Sequence, residues 1–131
     1  MKSIILIIFT GIVLFSILVS VKKKENRGKY KMITAQEAKK MMDSGSASVI
    51  VDVRQPDEYK NGHVEGAINI PLDRIERTGE KKLKDKNENI LVYCHSGMRS
   101  RQASSILTNM GYENIFNFGG VISWKYGLVT D

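Results

Sequence analysis

Four short apolar runs, at residues 48–53, 67–70, 89–93 and 114–118, alternate with segments of helical spacing and limit what this chain can become. The first reads Ser-Val-Ile-Val-Asp-Val and the third Asn-Ile-Leu-Val-Tyr. Neither alternates polar with apolar residues, so each fits a strand covered on both faces. The second run is stopped by Pro71. Ahead of the first, Thr34-Ala35-Gln36-Glu37 has the form of a capping box, Ala38, Met41 and Met42 share one helical face, and Gly45 is a natural stop. Between the third and fourth runs, Ala103, Ile106, Leu107 and Met110 are spaced as on a helix over residues 100–111, which Gly111 ends. This alternation predicts an α/β fold: an open, mostly parallel central sheet with helices on both faces. In such sheets ligands bind beyond the carboxyl ends of the strands.

A chain of 131 residues has room for one ordinary domain. Residues 1–31 hold seven basic side chains and one acidic, whereas residues 32–131 hold 13 of each sign. The sequence pI near 9.5 therefore describes the leading segment and not the body, and no nucleic-acid partner is expected. A lone cysteine, Cys94, excludes an internal disulfide, a Cys-rich zinc site and a paired-thiol motif. With only His63 and His95 beside it, no metal cluster is expected either.

Residues 1–3 form a short flank to residues 4–21, 18 residues without a charge. As a helix that stretch measures roughly 27 Å, close to the hydrocarbon thickness of a bilayer. A transmembrane anchor is expected over 4–21. The alternative, export after signal-peptide cleavage, fits less well because the apolar stretch is long and Leu18-Val19-Ser20 is a poor cleavage site. Lys22, Lys23, Lys24, Arg27, Lys29 and Lys31 fill a basic linker over 22–31. By the positive-inside rule they put the domain at 32–131 in the cytoplasm, on a single-pass protein of the cell membrane. The linker either rests on anionic lipid headgroups or is a solvated spacer.

After the third strand the chain reads Tyr93-Cys94-His95-Ser96-Gly97-Met98-Arg99-Ser100, and a helix follows at once. A strand, a turn with a glycine and a helix N-terminus point several backbone N–H groups into one concavity. The helix dipole and Arg99 both favour a thiolate at Cys94, which makes it a nucleophile.

The segment from Cys94 to Ser100 resembles the active-site loop of the rhodanese family of sulfurtransferases. So do Asp52-Val53-Arg54 with Glu58-Tyr59, Gly62-His63-Val64-Glu65-Gly66-Ala67-Ile68-Asn69-Ile70-Pro71, and Gly119-Gly120 with Trp124. The resemblance runs from about residue 33 to residue 127, with the blocks in the family's order. It implies the family's single-domain fold and a persulfide on Cys94. The donor would be a small sulfur anion such as thiosulfate, the acceptor a thiol or a protein, and no cofactor is needed. The backbone of His95, Ser96, Gly97, Met98, Arg99 and Ser100 would hold the anionic sulfur, and Arg99 would attract the donor.

Phosphatases of related fold use five residues between Cys and Arg, whereas four separate Cys94 from Arg99 here, so sulfur transfer is favoured over phosphate hydrolysis. Arsenate reduction and a non-catalytic sulfur- or redox-sensing module are the remaining alternatives. Asp52, Arg54, Glu58, His63, Gly119 and Gly120 are expected to support the site structurally. Asp52 and Arg54 are expected to form a structural ion pair or hydrogen-bond anchor, Glu58 to pair with Arg54, Gly119 and Gly120 to let the chain pass close to the cysteine loop, and Trp124 to pack a final helix on the sheet.

Overall fold

The expected capping box opens the first helix of the computed structural model, which describes residues 29–131. The Thr34 hydroxyl accepts from the Glu37 amide at 3.1 Å, and helix α1 runs Ala35–Asp43. Ala38 is its fully buried residue, and Gly45 at φ +76° turns the chain back. The anchor over 4–21 and most of the basic linker lie outside the described residues. Among the described residues no helix is long and apolar enough to cross a membrane.

Five parallel strands form the sheet: β1 Lys31–Met32, β2 Val49–Asp52, β3 Ile68–Asn69, β4 Asn89–Cys94 and β5 Asn114–Gly120, in the order β1-β5-β4-β2-β3. The helices are α1, α2 Pro56–Lys60, α3 Ile75–Lys82 and α4 Met98–Asn109, with single 3-10 turns at Leu72–Arg74 and Val121–Ser123. The expected strands are present with shifted ends. β3 is two residues long, while β5 continues through both glycines. β1, α2 and α3 were not foreseen.

Two apolar layers cover the sheet. On one side Ile75, Leu83, Ala103, Leu107 and Tyr112 pack over Val51, Ile90, Val92 and Ile115. On the other, Ala38, Val64 and Ala67 pack with Leu91, Tyr93 and Phe118. Helices therefore lie on both faces, as expected. The last helix is a 3-10 turn only, because Trp124 leaves helical backbone at ψ 115°. Its indole packs at a tilt against Phe118 and edge-on against Tyr126 instead of carrying a helix.

The strand order positions the site. From β2 the chain moves outward through α2 to β3, and from β4 it moves the other way through α4 to β5. Neighbouring β2 and β4 therefore send their following loops apart. The crevice between those two carboxyl ends is the switch point of the sheet, where an open α/β fold leaves room for a ligand.

Candidate active site

Cys94 is the last residue of β4, and its thiol lies at that crevice with the residue 1% exposed. Gly97 caps α4 with φ +109°, a left-handed conformation that glycine adopts without steric penalty. The helix consequently starts at Met98, two residues earlier than its side-chain spacing suggests. The early start brings the Gly97 N–H to 3.0 Å from Sγ. Ser96 and Ser100 add backbone hydrogen bonds, and the Ser100 hydroxyl lies 3.5 Å from the sulfur.

Burial pushes the Cys94 thiol up, but these hydrogen bonds from Ser100, Gly97 and Ser96 outweigh burial and hold it below the ordinary thiol range. The Ser100 hydroxyl has two carbonyl acceptors, Gly97 at 3.0 Å and Gly119 at 3.2 Å. It has a single hydrogen. With a neutral thiol the hydroxyl donates to a carbonyl and accepts from Sγ; with a thiolate it turns and donates to the sulfur.

Gly120 pairs with Cys94 across a register shift between β4 and β5. A Cβ at Gly120 would lie 2.0 Å from the His95 carbonyl oxygen, so the expected close passage is real and admits no side chain. Gly119, at φ +85°, makes the turn into it. The bend is set by Asn117, whose buried Oδ1 accepts from the Gly119 N–H at 2.9 Å. Sequence reasoning passed over Asn117. An Asn two residues ahead of a glycine pair is a signal for such a turn.

The remaining loop residues separate. His95 and Ser96 face solvent, Met98 is 73% exposed at the helix start, and Ser100 is fully buried. Met98 thus offers its backbone to the loop and its side chain to the outside.

Arg54 does not pair with Glu58, contrary to expectation. Its guanidinium is buried against Asp52, with Nε at 3.1 Å from both carboxylate oxygens and Nη2 at 2.8 Å from Oδ2. Nη2 also donates to the Gly62 carbonyl at 2.6 Å, and the Tyr93 ring lies 5.8 Å from the guanidinium. A residue two positions away on a turning chain reaches Arg54 more directly than one on α2. Glu58 instead reaches from α2 to α4 and receives Nη1 and Nη2 of Arg99 at 2.7 and 2.9 Å. It also accepts from the Gln55 amide at 2.9 Å, which caps α2. Arg99 holds the Glu58 carboxyl down at about 2, and Glu58 in turn raises the Arg99 guanidinium.

His63 is an anchor whose contacts are to Tyr59, Val129 and Asp131. It is 2% exposed, stacks on Tyr59 at 3.8 Å between ring centroids, and its Nδ1 lies 2.9 Å from the Tyr59 carbonyl. A second anchor, not foreseen, is the buried Tyr93 hydroxyl, which accepts from the Val64 N–H at 3.0 Å.

A parallel sheet that holds one activated thiol in a ring of N–H donors, with an arginine at the rim, defines an α/β protein of the cysteine-loop class. The family model described as the Rhodanese-like domain matches residues 34–126, and the chain belongs to that family. It is 45% identical over 71 residues to the thiosulfate sulfurtransferase PspE of Escherichia coli, covering 54% of this chain and 68% of that protein. It is 31% identical over 97 residues to the thiosulfate sulfurtransferase GlpE of Coxiella burnetii, covering 73% and 88%. Among solved structures it is similar to a rhodanese from E. coli with anions, at 40% identity and TM-score 0.59, covering 63% of this chain and 98% of that one.

Proposed function

We infer that the chain is a sulfurtransferase that moves sulfane sulfur from a donor such as thiosulfate to a thiol or protein acceptor through a persulfide on Cys94. The enzyme class is supported by the relatives, which are thiosulfate sulfurtransferases by name. The mechanism is carried by one observation, the Cys94 sulfur set among the Gly97, Ser96 and Ser100 donors at the start of α4.

The Cys94 thiolate attacks the outer sulfur of thiosulfate. A bond forms between Sγ and that sulfur, the bond from it to the sulfonate sulfur breaks, and sulfite leaves with the electron pair. The persulfide carries the negative charge on its terminal sulfur, and the backbone donors of the loop from His95 to Ser100 stabilise it. An acceptor nucleophile such as cyanide or a thiolate then takes the terminal sulfur and returns the Cys94 thiolate. The sulfur moves at the sulfane level while each leaving group keeps the bonding pair, so the two steps balance without an external oxidant or reductant. Asp52, Arg54, His63, Gly119 and Gly120 serve as scaffold.

Residues 4–21 anchor the domain in the cell membrane and the basic linker keeps it on the cytoplasmic side. This reading is supported by 18 residues without a charge and by the six basic side chains that follow. Alkaline carbonate extraction of membranes tests it: the full chain stays in the pellet if it is anchored and is released if it is not.

Intact-protein mass spectrometry of the full chain after exposure to thiosulfate tests the chemistry. The expected result is a gain of one sulfur atom, removed by cyanide and absent from Cys94→Ser. A folded wild type that gains none overturns the reading.

A further inference from the structure

Arg99, the cation of the cysteine loop, is already engaged. Both Nη atoms of Arg99 donate to Glu58, at 2.7 and 2.9 Å, so the end-on fork of the guanidinium is filled by a carboxylate of the same chain. Glu58 does not depend on Arg99 for its place, because the Gln55 amide holds the same carboxylate at 2.9 Å on the α2 cap. Both side chains are 32% exposed, and Arg99 stands in the first turn of α4, two residues after the Gly97 N–H that contacts the sulfur, so the pair is open to solvent close to the cysteine loop. The Cys94 charge helps to raise the Arg99 guanidinium, so this cation and the reacting sulfur interact.

We propose that Glu58 is a specificity-determining residue that sets the charge of the donor: by neutralising Arg99 it biases the site against dianions such as thiosulfate and toward monoanionic sulfane-sulfur donors of the thiosulfonate type. The inference rests on the sulfur-transfer reading and deepens it. For a thiosulfonate the balanced step is attack by the Cys94 thiolate on the terminal sulfur, cleavage of the sulfur–sulfur bond and departure of a monoanionic sulfinate. Thiosulfate undergoes the same step but releases dianionic sulfite. The two donors therefore differ in the charge that must approach Glu58 and leave past it. A fixed negative charge acts on a dianion with twice the energy it exerts on a monoanion at the same place. Any change that acts through the thiol itself affects both donors alike and cancels in their ratio.

The experiment compares kcat/KM for thiosulfate and for methanethiosulfonate, with cyanide as acceptor, in the full chain. In Glu58→Gln, which retains an oxygen for the Gln55 amide, thiosulfate should improve about tenfold and methanethiosulfonate about threefold, so their ratio rises about threefold. Glu58→Asp, which retains the charge, should leave the ratio at its wild-type value. A ratio unmoved in Glu58→Gln overturns the proposal, and so does an Asp variant that moves it as far as the Gln variant. A measurement on the wild type alone covers the case in which Glu58→Gln does not fold. A neutralised Arg99 predicts that kcat/KM for thiosulfate changes less than about twofold between about 20 and 200 mM salt, and a steep fall overturns the proposal. Absence of transfer from either donor by the wild type overturns the sulfur-transfer reading and this inference with it; transfer with an unmoved ratio overturns this inference alone.

Discussion

Two arginine–carboxylate pairs stand at the carboxyl end of the sheet, and burial gives them opposite roles. Asp52–Arg54 is sealed, with side chains 0% and 6% exposed, and its second partner is a backbone carbonyl, that of Gly62. Glu58–Arg99 has the same chemistry but is 32% exposed on each side and bridges helices α2 and α4, 41 residues apart in sequence. An ion pair shut away from water is costly to break, because the group left behind has no solvent to turn to. One in contact with water exchanges partners at little cost. The first pair therefore fixes the shape of the β2 turn, while the second is free to take part in recognition at the crevice.

The largest effect should come from breaking the sealed pair. Asp52→Ala leaves Arg54 buried and unpaired, and urea denaturation should show a loss of about 3–5 kcal/mol of stability. A loss similar to that of an exposed pair would erase the distinction. Removing the rim cation should read out differently. Arg99→Ala should change unfolding stability by no more than about 1 kcal/mol, yet lower kcat/KM for thiosulfate at least about tenfold.

Acid should next separate the two members of the rim pair. The Glu58 carboxyl is depressed from 4.5 to about 2, so its contribution to stability is complete above about pH 4.5 and is lost as the pH falls toward 2. With solvent screening the wild type should lose on the order of 1 kcal/mol over that window that Glu58→Gln does not lose, as read by denaturant midpoints at each pH. The gentlest change is Ser100→Ala, which removes one hydrogen bond to the sulfur and leaves both ion pairs alone. Its alkylation rate against pH should inflect at a higher value than that of the wild type, whose thiol lies below 9.0. An unmoved inflection would mean that the backbone donors alone lower the thiol.

The legible parts of the chain were those whose cause is local. β4, its loop and α4 could be read because an apolar run, a glycine and an apolar helical face follow one another within residues 89–111. α3 could not: Ile75–Lys82 reads Ile-Glu-Arg-Thr-Gly-Glu-Lys-Lys, with only Ile75 and Gly79 buried, and Met110, which caps the end of α4, lies against Gly79. Its helical form depends on what it packs against. β1 has two residues and exists because it pairs with Phe116 and Asn117 of β5. The same division runs through the site. The Asp52–Arg54 neighbourhood and the glycine passage were visible as motifs, but the partner of Glu58 was chosen by the sheet's switch point. Proximity in sequence favoured Arg54, four residues away, over Arg99.

The place where Gly120 slides under the His95 carbonyl bears on how such a protein can change over evolutionary time. Two segments of the chain share a space smaller than a methyl group. A loop enlarged by one residue has no free volume toward β5 and can grow only on the side where His95 and Ser96 face solvent. Drift is therefore asymmetric at this place: the solvent side of the loop can vary in sequence, while position 120 stays closed to any side chain.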